Sequence, residues 1–491
     1  MFTRARRFAT IAASSTTSSS SDRTRVVLAL GSNEGDRVGL FRDALARLRR
    51  DLGFELHAHS SLYETPPAYV TDQGKFLNAA CVGSFPTEVA RDALTLLDGL
   101  KRLEAAAGRD FTGRRYGPRP MDLDILFHAS GAHLCDRLTI PHPRYAERAF
   151  VLAPLADLEG AATTADATSV GLRHAREHWR LMGESRAMEE EGIVRVMPLK
   201  NKLWSWGAST AVMGILNVTP DSFSDGGKFS ASVDAAVNHA RAMVAAGATI
   251  IDVGGQSTRP GATRVSPEEE TMRVIPVVRA LAEEFAERDD VFISIDTFYG
   301  DVVSAAAEAG ANIINDVSGG SWDPKMLPTV AALKQPLPYV VMHVRGDPSN
   351  MQSKSNTSYD GHVCDEVGDG LLATARKCIE EGIEPWRLWI DPGIGFAKTG
   401  RANVELLRDL PRVRSRLAPL GGAVLHAPML IGASRKRFLG ELTGQSDAPD
   451  RDVASVAALV GAVHGGADIA RVHNVSMSVD AARIADALWR R

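Results

Sequence analysis

The chain has 491 residues, with 44% hydrophobic and 24% charged residues and a formal net charge of −4. That length exceeds what one hydrophobic core organises and suits two or three domains. The charge balance carries no nucleic-acid signature, and no run of about 18 apolar residues exists to cross a membrane. The cysteines, Cys81, Cys135, Cys364 and Cys378, lack metal-ligand spacing and are too scattered for a disulfide framework, which suits a reducing compartment.

Residues 1–24 are rich in Arg, Ser and Thr, and no acid precedes Asp22. This is the composition of an organellar transit peptide, and mitochondrial import is expected, with plastid or cytosol as alternatives. Residues 25–160 then read as a small domain. Val26–Leu30 is a short strand. Leu45, Leu48 and Leu52 recur at helix spacing over 40–52. Glu55–Tyr63 and Leu77–Phe85 read as strands, and 87–107 as a helix with Thr87 as its cap. Leu123–Phe127 is a further strand. Along it Asp122 and Asp124 share one face while Leu123, Ile125 and Phe127 share the other. Two adjacent anions repel unless cations neutralise them, and oxygen ligands suit Mg²⁺ held against phosphates.

Residues 161–205 read as a linker or docking segment with one helix near Arg173–Leu181, and Met188–Glu191 as a solvated helix end. From 206 to 491, apolar runs alternate with helical stretches. The runs are Val212–Val218, Thr249–Val253, Val291–Ile295, Asn312–Val317, Leu337–Met342, Arg387–Ile390, Met429–Ile431 and Asp468–Val472. Nearly all end in polar or glycine residues, including Asn217, Gly254, Asp296, Asn315, His343, Asp391, Ser434 and His473. Alternation of this kind predicts a (β/α)8 barrel with its chemistry at the C-terminal ends of the strands.

Two sets of motifs carry a resemblance. Ala29-Leu30-Gly31-Ser32-Asn33, Tyr63-Glu64-Thr65-Pro66-Pro67, Phe76-Leu77-Asn78, Gly117-Pro118-Arg119, Asp122-Leu123-Asp124 and Pro141-His142-Pro143-Arg144 make residues 25–160 similar to 6-hydroxymethyl-7,8-dihydropterin pyrophosphokinases. The resemblance implies a ferredoxin-like α+β domain that moves pyrophosphate from ATP to the pterin hydroxymethyl group. It further implies two Mg²⁺ ions on Asp122 and Asp124, nucleotide and phosphate contacts from Arg109, Arg119, His142 and Arg148, and a pterin read by Asn78 and stacked on Phe150. Tyr116 stands where bacterial members often have Trp, and Phe111 and Thr112 stand where basic residues are common.

The second set is Gly214-Ile215-Leu216-Asn217 with the loop after it, Ile251-Asp252-Val253-Gly254-Gly255-Gln256-Ser257-Thr258-Arg259-Pro260, Ser294-Ile295-Asp296-Thr297, Ile313-Ile314-Asn315-Asp316, Asp391-Pro392-Gly393, Ser434-Arg435-Lys436 and Arg471-Val472-His473. Residues 206–491 thereby resemble dihydropteroate synthases, which join p-aminobenzoate to a pterin pyrophosphate. The resemblance implies pterin contacts from Asp296, Asn315, Met342, Asp391, Phe396 and Lys436. Thr258, Arg259, Arg471 and His473 would take the pyrophosphate, Asn217 one Mg²⁺ ion, and Thr258, Pro260 and Ser434 would shape the p-aminobenzoate subsite. Asp252 and Asp316 read as structural caps. Gln256 replaces a Glu common in bacterial members. Self-association through the barrel is expected. A methyltetrahydrofolate-dependent methyltransferase barrel and a decayed folate-binding regulator are the alternatives. The first needs no pyrophosphate-binding cations, and decay would remove metal ligands such as Asp122, Asp124 and Asn217.

Overall fold

The computed structural model describes residues 22–490 apart from Arg115, residues 219–228 and Pro260. Residues 1–24, save the last three, and the loop after Asn217 therefore lie outside the described residues, as does Pro260.

The first domain is a seven-stranded sheet. Its strands are β1 (Arg23–Ser32), β2 (Glu55–His59), β3 (Leu62–Thr65), β4 (Phe76–Pro86) and β5 (Asp122–His128), followed by a small ribbon of β6 (His133–Cys135) and β7 (Leu138–Ile140), then by β8 (Val194–Leu199) and β9 (Lys202–Trp204). The order is β5-β1-β4-β3-β8-β9, with β2 also on β4, and every pairing is antiparallel. Helices cover both faces. Phe41, Leu45 and Leu48 of helix Arg37–Leu52 meet Val26, Leu28 and Leu30 on one side, and Leu152, Leu172 and Trp179 meet Val27 and Ala80 on the other. Asp36 caps the first of these helices by accepting from Gly39 N, and Gly53 ends it at φ 66°.

Three local expectations change. The helix expected from Thr87 breaks into Thr87–Ala90 and Ala93–Ala106, because Asp92 accepts from Leu94 N and Thr95 N and restarts it. The strand expected over 55–63 divides into β2 and β3. Phe127 does not share a face with Leu123 and Ile125. The register slips where Val27 pairs with Phe127 but Leu28 pairs with Ile125, so Leu126 is an extra residue and the side chains beyond it change face.

Residues 161–205 hold more structure than a linker. Helices Ala167–Leu181 and Glu184–Glu190 pack on the first sheet, and β8 pairs with β3. The acidic run ends the second helix and is largely exposed.

The barrel has eight parallel strands: β10 (Ala211–Asn217), β11 (Ile250–Gly254), β12 (Phe292–Asp296), β13 (Ile313–Asp316), β14 (Tyr339–Met342), β15 (Leu388–Asp391), β16 (Leu430–Ile431) and β17 (Ile469–Val472). Each falls within two residues of its predicted run at either end. A bridge between Ile390 and Met429 closes the ring. The lower interior is filled by Met213, Ile250, Phe292, Ile313, Val340, Trp389, Leu430 and Ile469, and Met197 and Leu199 of β8 plug it from below. Trp389 Nε1 donates to Met197 Sδ at 3.0 Å. One hairpin thus extends the first sheet and floors the barrel.

The domains meet at the strands' N-terminal ends. Asp157 accepts from Ser61 N and Tyr63 OH and pairs with His426 at 3.3 Å. Glu384 lies between Arg42 at 2.5 Å and Arg387 at 2.8 Å. Burial works against the Asp157 charge, but His426 and Arg195 hold it well below the usual carboxylate range.

Candidate functional sites

In the first domain, register builds the site. Gly31 lies opposite Asn78 on β4 and opposite Asp122 on β5, and Ala29 lies opposite Ala80 and Asp124. Asn78, Gly31 and Asp122 therefore form a row across three strands, with Asp124 one step along the same face. A Cβ at Gly31 would stand 3.3 Å from Asn78 Oδ1, so glycine keeps this floor low. Asn78 Nδ2 donates to Thr65 Oγ1 at 2.8 Å, which fixes the amide's orientation.

Above this floor is a cavity of about 380 Å³ lined by Asn78, Arg109, Arg119, Asp122, Asp124, His142, Arg148 and Phe150, among others. All eight residues assigned to this domain therefore share one cavity. Asp122 accepts from Arg109 and, at 2.8 Å, from Arg119. Burial opposes its charge, but Arg119, Arg109 and Lys101 outweigh that and keep it ionised. The Asp124 carboxylate accepts no hydrogen bond among the described residues. Burial and the Asp122 charge push it up to about 7. An unpaired carboxylate beside an ionised one could hold a dication if phosphate oxygens supplied the rest of its ligands. Arg148 donates to Tyr69 OH at 3.0 Å and lies over the Phe150 ring at 5.7 Å.

Glu104 was not foreseen. It is fully buried and accepts from Lys101 at 2.7 Å, Arg109 at 2.8 Å and Leu123 N at 2.7 Å, so it anchors both Arg109 and the strand between the two aspartates. The available signal was an acid on a helix face otherwise made of Ala93, Leu96, Leu97, Leu100 and Leu103.

In the barrel, the polar strand ends face one mouth. Arg471 donates from Nε to Asp252 at 2.6 Å and from Nη2 to Asp296 at 2.5 Å. Asn315 Nδ2 donates to the same Asp252 oxygen at 3.1 Å. Asp252, read as a cap, is thus a fully buried hub of this site, holding an arginine from β17 and an amide from β13. Asp316 does cap, accepting from Ser318 N, Gly320 N and Tyr339 OH. Burial, against the pull of Arg471, pushes Asp296 up to about 7. Burial also lifts Asp391 to about 6, although Gly393 N donates to it at 2.7 Å.

Lys436 Nζ sits 4.3 Å from the Phe396 ring centroid. Burial and nearby Arg471 lower this ammonium to about 8. Gly395, at φ 82°, leaves room for it, since a Cβ there would lie 2.9 Å from Lys436 Cδ. Met342 and Phe396 belong to one apolar cluster with Phe298 and Val317. His473 Nδ1 lies 3.0 Å from Ser434 Oγ. Burial, then Arg435 and Arg471, bring His473 to about 4, so near neutral pH it is a neutral hydrogen-bonding group and carries no charge. Arg435 is committed elsewhere, forked onto Asp452 at 2.6 and 2.9 Å. Asn217 ends β10 beside Gly254 and is exposed. Thr258 is half-buried and Arg259 exposed, on the loop after β11.

Known proteins divide along the same boundary. Residues 27–160 match the family model for 7,8-dihydro-6-hydroxymethylpterin-pyrophosphokinase, and residues 213–473 match that for pterin binding enzymes. The chain is 47% identical to the mitochondrial folate synthesis bifunctional protein of Arabidopsis thaliana over 490 residues, covering 99% of this chain and 86% of that protein. It is 45% identical to the dihydropteroate synthase of Escherichia coli over 276 residues, 56% of this chain and 90% of that one. The crystal structure of Burkholderia cenocepacia dihydropteroate synthase complexed with 7,8-dihydropteroate superposes with a TM-score of 0.51 at 37% identity, covering 60% of this chain and 96% of that chain. The chain belongs to the bifunctional folate-synthesis proteins, in which a hydroxymethyldihydropterin pyrophosphokinase and a dihydropteroate synthase share one polypeptide.

Proposed function

We propose that the two sites described above perform consecutive steps, each with its own residues. In the first, Asn78 and Phe150 seat the pterin while Arg109, Arg119, His142 and Arg148 hold the ATP phosphates. Asp122 and Asp124 would carry two Mg²⁺ ions, which supply charge neutralisation of the phosphates and alignment for attack. The pterin hydroxyl then displaces AMP from the β-phosphorus. In the second step, Asp296, Asn315, Asp391 and Lys436 bind the polar edge of the pterin between Met342 and Phe396. Arg259, Arg471, His473 and Thr258 receive the leaving pyrophosphate, with Asn217 as the ligand for one Mg²⁺. Stabilising negative charge as it develops on the leaving group is where such fixed donors act most strongly. The amine of p-aminobenzoate attacks the pterin methylene from a subsite formed by Thr258, Pro260 and Ser434.

The carrying observation is that each domain sets pterin-sized acid and amide groups beside phosphate-sized cations. A one-pot assay with ATP, hydroxymethyldihydropterin and p-aminobenzoate should yield dihydropteroate and AMP. Formation of AMP without dihydropteroate, when p-aminobenzoate is in excess, would sink the two-step reading.

A second copy of the chain is proposed to pair through the last two helices. Met477, Ile484 and Leu488 share a face of helix Val475–Trp489 and are exposed, as is Val453 on the neighbouring helix. Light scattering should give twice the chain mass. Import into mitochondria is proposed from residues 1–24, supported by the mitochondrial naming of the Arabidopsis thaliana and Pisum sativum relatives.

A further inference from the structure

One buried pair behind the barrel mouth has no part in either step as described. Glu270 is fully buried on helix Pro267–Glu284. Its Oε2 accepts from Gln256 Nε2 at 2.6 Å and from Thr297 Oγ1 at 3.2 Å. Its other oxygen, Oε1, is buried with no hydrogen-bond partner among the described residues, and so is Gln256 Oε1. Two unsatisfied acceptors on groups already joined by one hydrogen bond carry a clear cost, because a buried polar atom without a partner has given up its water and gained nothing in return. A single proton on Glu270 Oε1, donated to Gln256 Oε1, would satisfy both and close a two-bond acid–amide ring.

Gln256 is the root of the loop after β11. Two residues on is Thr258, and then Arg259. Arg273, on the Glu270 helix, donates to Gly255 O at 2.8 Å and so holds the same root. We propose that Glu270, as a neutral carboxylic acid paired twice with Gln256, is a positioning residue that fixes this loop for p-aminobenzoate. The inference rests on the placement of Thr258 in the amine's subsite. Burial and the nearby Asp296 charge agree with it, lifting Glu270 to about 8. The groups facing Glu270 are Asp296 from β12, Arg273 from its own helix and Tyr299 from the segment after β12.

Below about pH 8 the acid is neutral and the ring is closed; above it the carboxylate can only accept, and Gln256 Oε1 loses its donor. Glu270→Gln replaces the acid with an amide that makes the same two bonds and does not titrate. The test is the KM for p-aminobenzoate from pH 7 to 9, measured on the full chain with saturating pterin pyrophosphate. For a group titrating at about 8, the wild-type KM should rise about tenfold over that range, while Glu270→Gln should change less than twofold. Asp296, Arg273, Tyr299 and Lys436 are present in both proteins, so their titration cancels in the comparison. Glu270→Leu should raise the KM about fivefold or more at pH 7 with a smaller change in kcat, and pyrophosphokinase activity in the same chain checks its integrity. Parallel pH profiles for wild type and Glu270→Gln would overturn the proposal. Thr258→Ala separates the premise: an unchanged KM there would remove the loop from the amine's subsite, and the positioning role with it.

Discussion

Replacing Arg471 with methionine should weaken the binding of bare pterin as well as of its pyrophosphate. Read from the sequence, Arg471 serves mainly the leaving group and its loss should barely change affinity for the bare pterin. In the structure its guanidinium spans Asp252 at 2.6 Å and Asp296 at 2.5 Å, so its loss strips the cation from two buried carboxylates. Removing one partner of a buried ion pair costs about 3–5 kcal/mol. Asp296 already stands at about 7 with Arg471 in place, so it takes up a proton at little further cost near neutral pH. The loss then falls on Asp252, and the lower end, about 3 kcal/mol of domain stability, is expected. A protonated Asp296 accepts from the pterin as a neutral group, which forfeits about 1.4 kcal/mol of a charge-assisted bond, or about tenfold between its two protonation states; because the wild type is already half protonated there at pH 7, the variant should lose about fivefold in affinity. The pyrophosphate form should lose that factor and about a further 10²-fold from the missing phosphate contact. Isothermal titration with both ligands at pH 7, alongside urea unfolding, measures each quantity. Unchanged affinity for the bare pterin would refute the argument that Arg471 sets the charge of Asp296, and equal losses for the two ligands would refute its role toward phosphate.

Other outcomes are expected on the same grounds. Asp124→Ala should abolish AMP release while synthesis from supplied pterin pyrophosphate continues, because the aspartate pair belongs wholly to the first domain; a simultaneous fall of both activities in a folded variant would contradict this. Lys436 is protonated below about pH 8, so pterin affinity should decline between pH 7 and 9, and titration calorimetry of Lys436→Met should show that dependence gone. A chain beginning at Asp22 should keep both activities, whereas removal of Arg23 should lower thermal stability, since Arg23 donates to Ser84 Oγ at 3.1 Å and to Ser84 O at 2.8 Å.

Both the barrel and the first domain were legible because local pattern and tertiary role agree there. An apolar run that ends in Asn217, Asp296 or Asp391 is a barrel strand reaching its mouth, and nothing distant alters that reading. The parity of Phe127 was hidden, because the extra residue at Leu126 shows only in the pairing with β1. So was the fate of 194–204, whose partner strand, β3, lies far back in the chain. Asp252 and Glu104 were missed for a shared reason: a lone acid inside an apolar run looks like a cap until the arginine it holds is brought in from another element. The residues of the barrel site come from eight separate strand ends or loops, so motif order could name them but could not show that Arg471 is held by two acids.

The hairpin of β8 and β9 has a consequence for traffic. It floors the barrel at the strands' N-terminal ends, where the first domain also docks, while the second site opens at the opposite ends. Between them the lower interior is filled by Met197, Leu199, Trp389 and their neighbours, so no passage runs through the barrel. The pterin pyrophosphate made by the first domain therefore reaches the second site around the outside of the barrel, not through it. Along that outer route it is exposed to water and to competing enzymes.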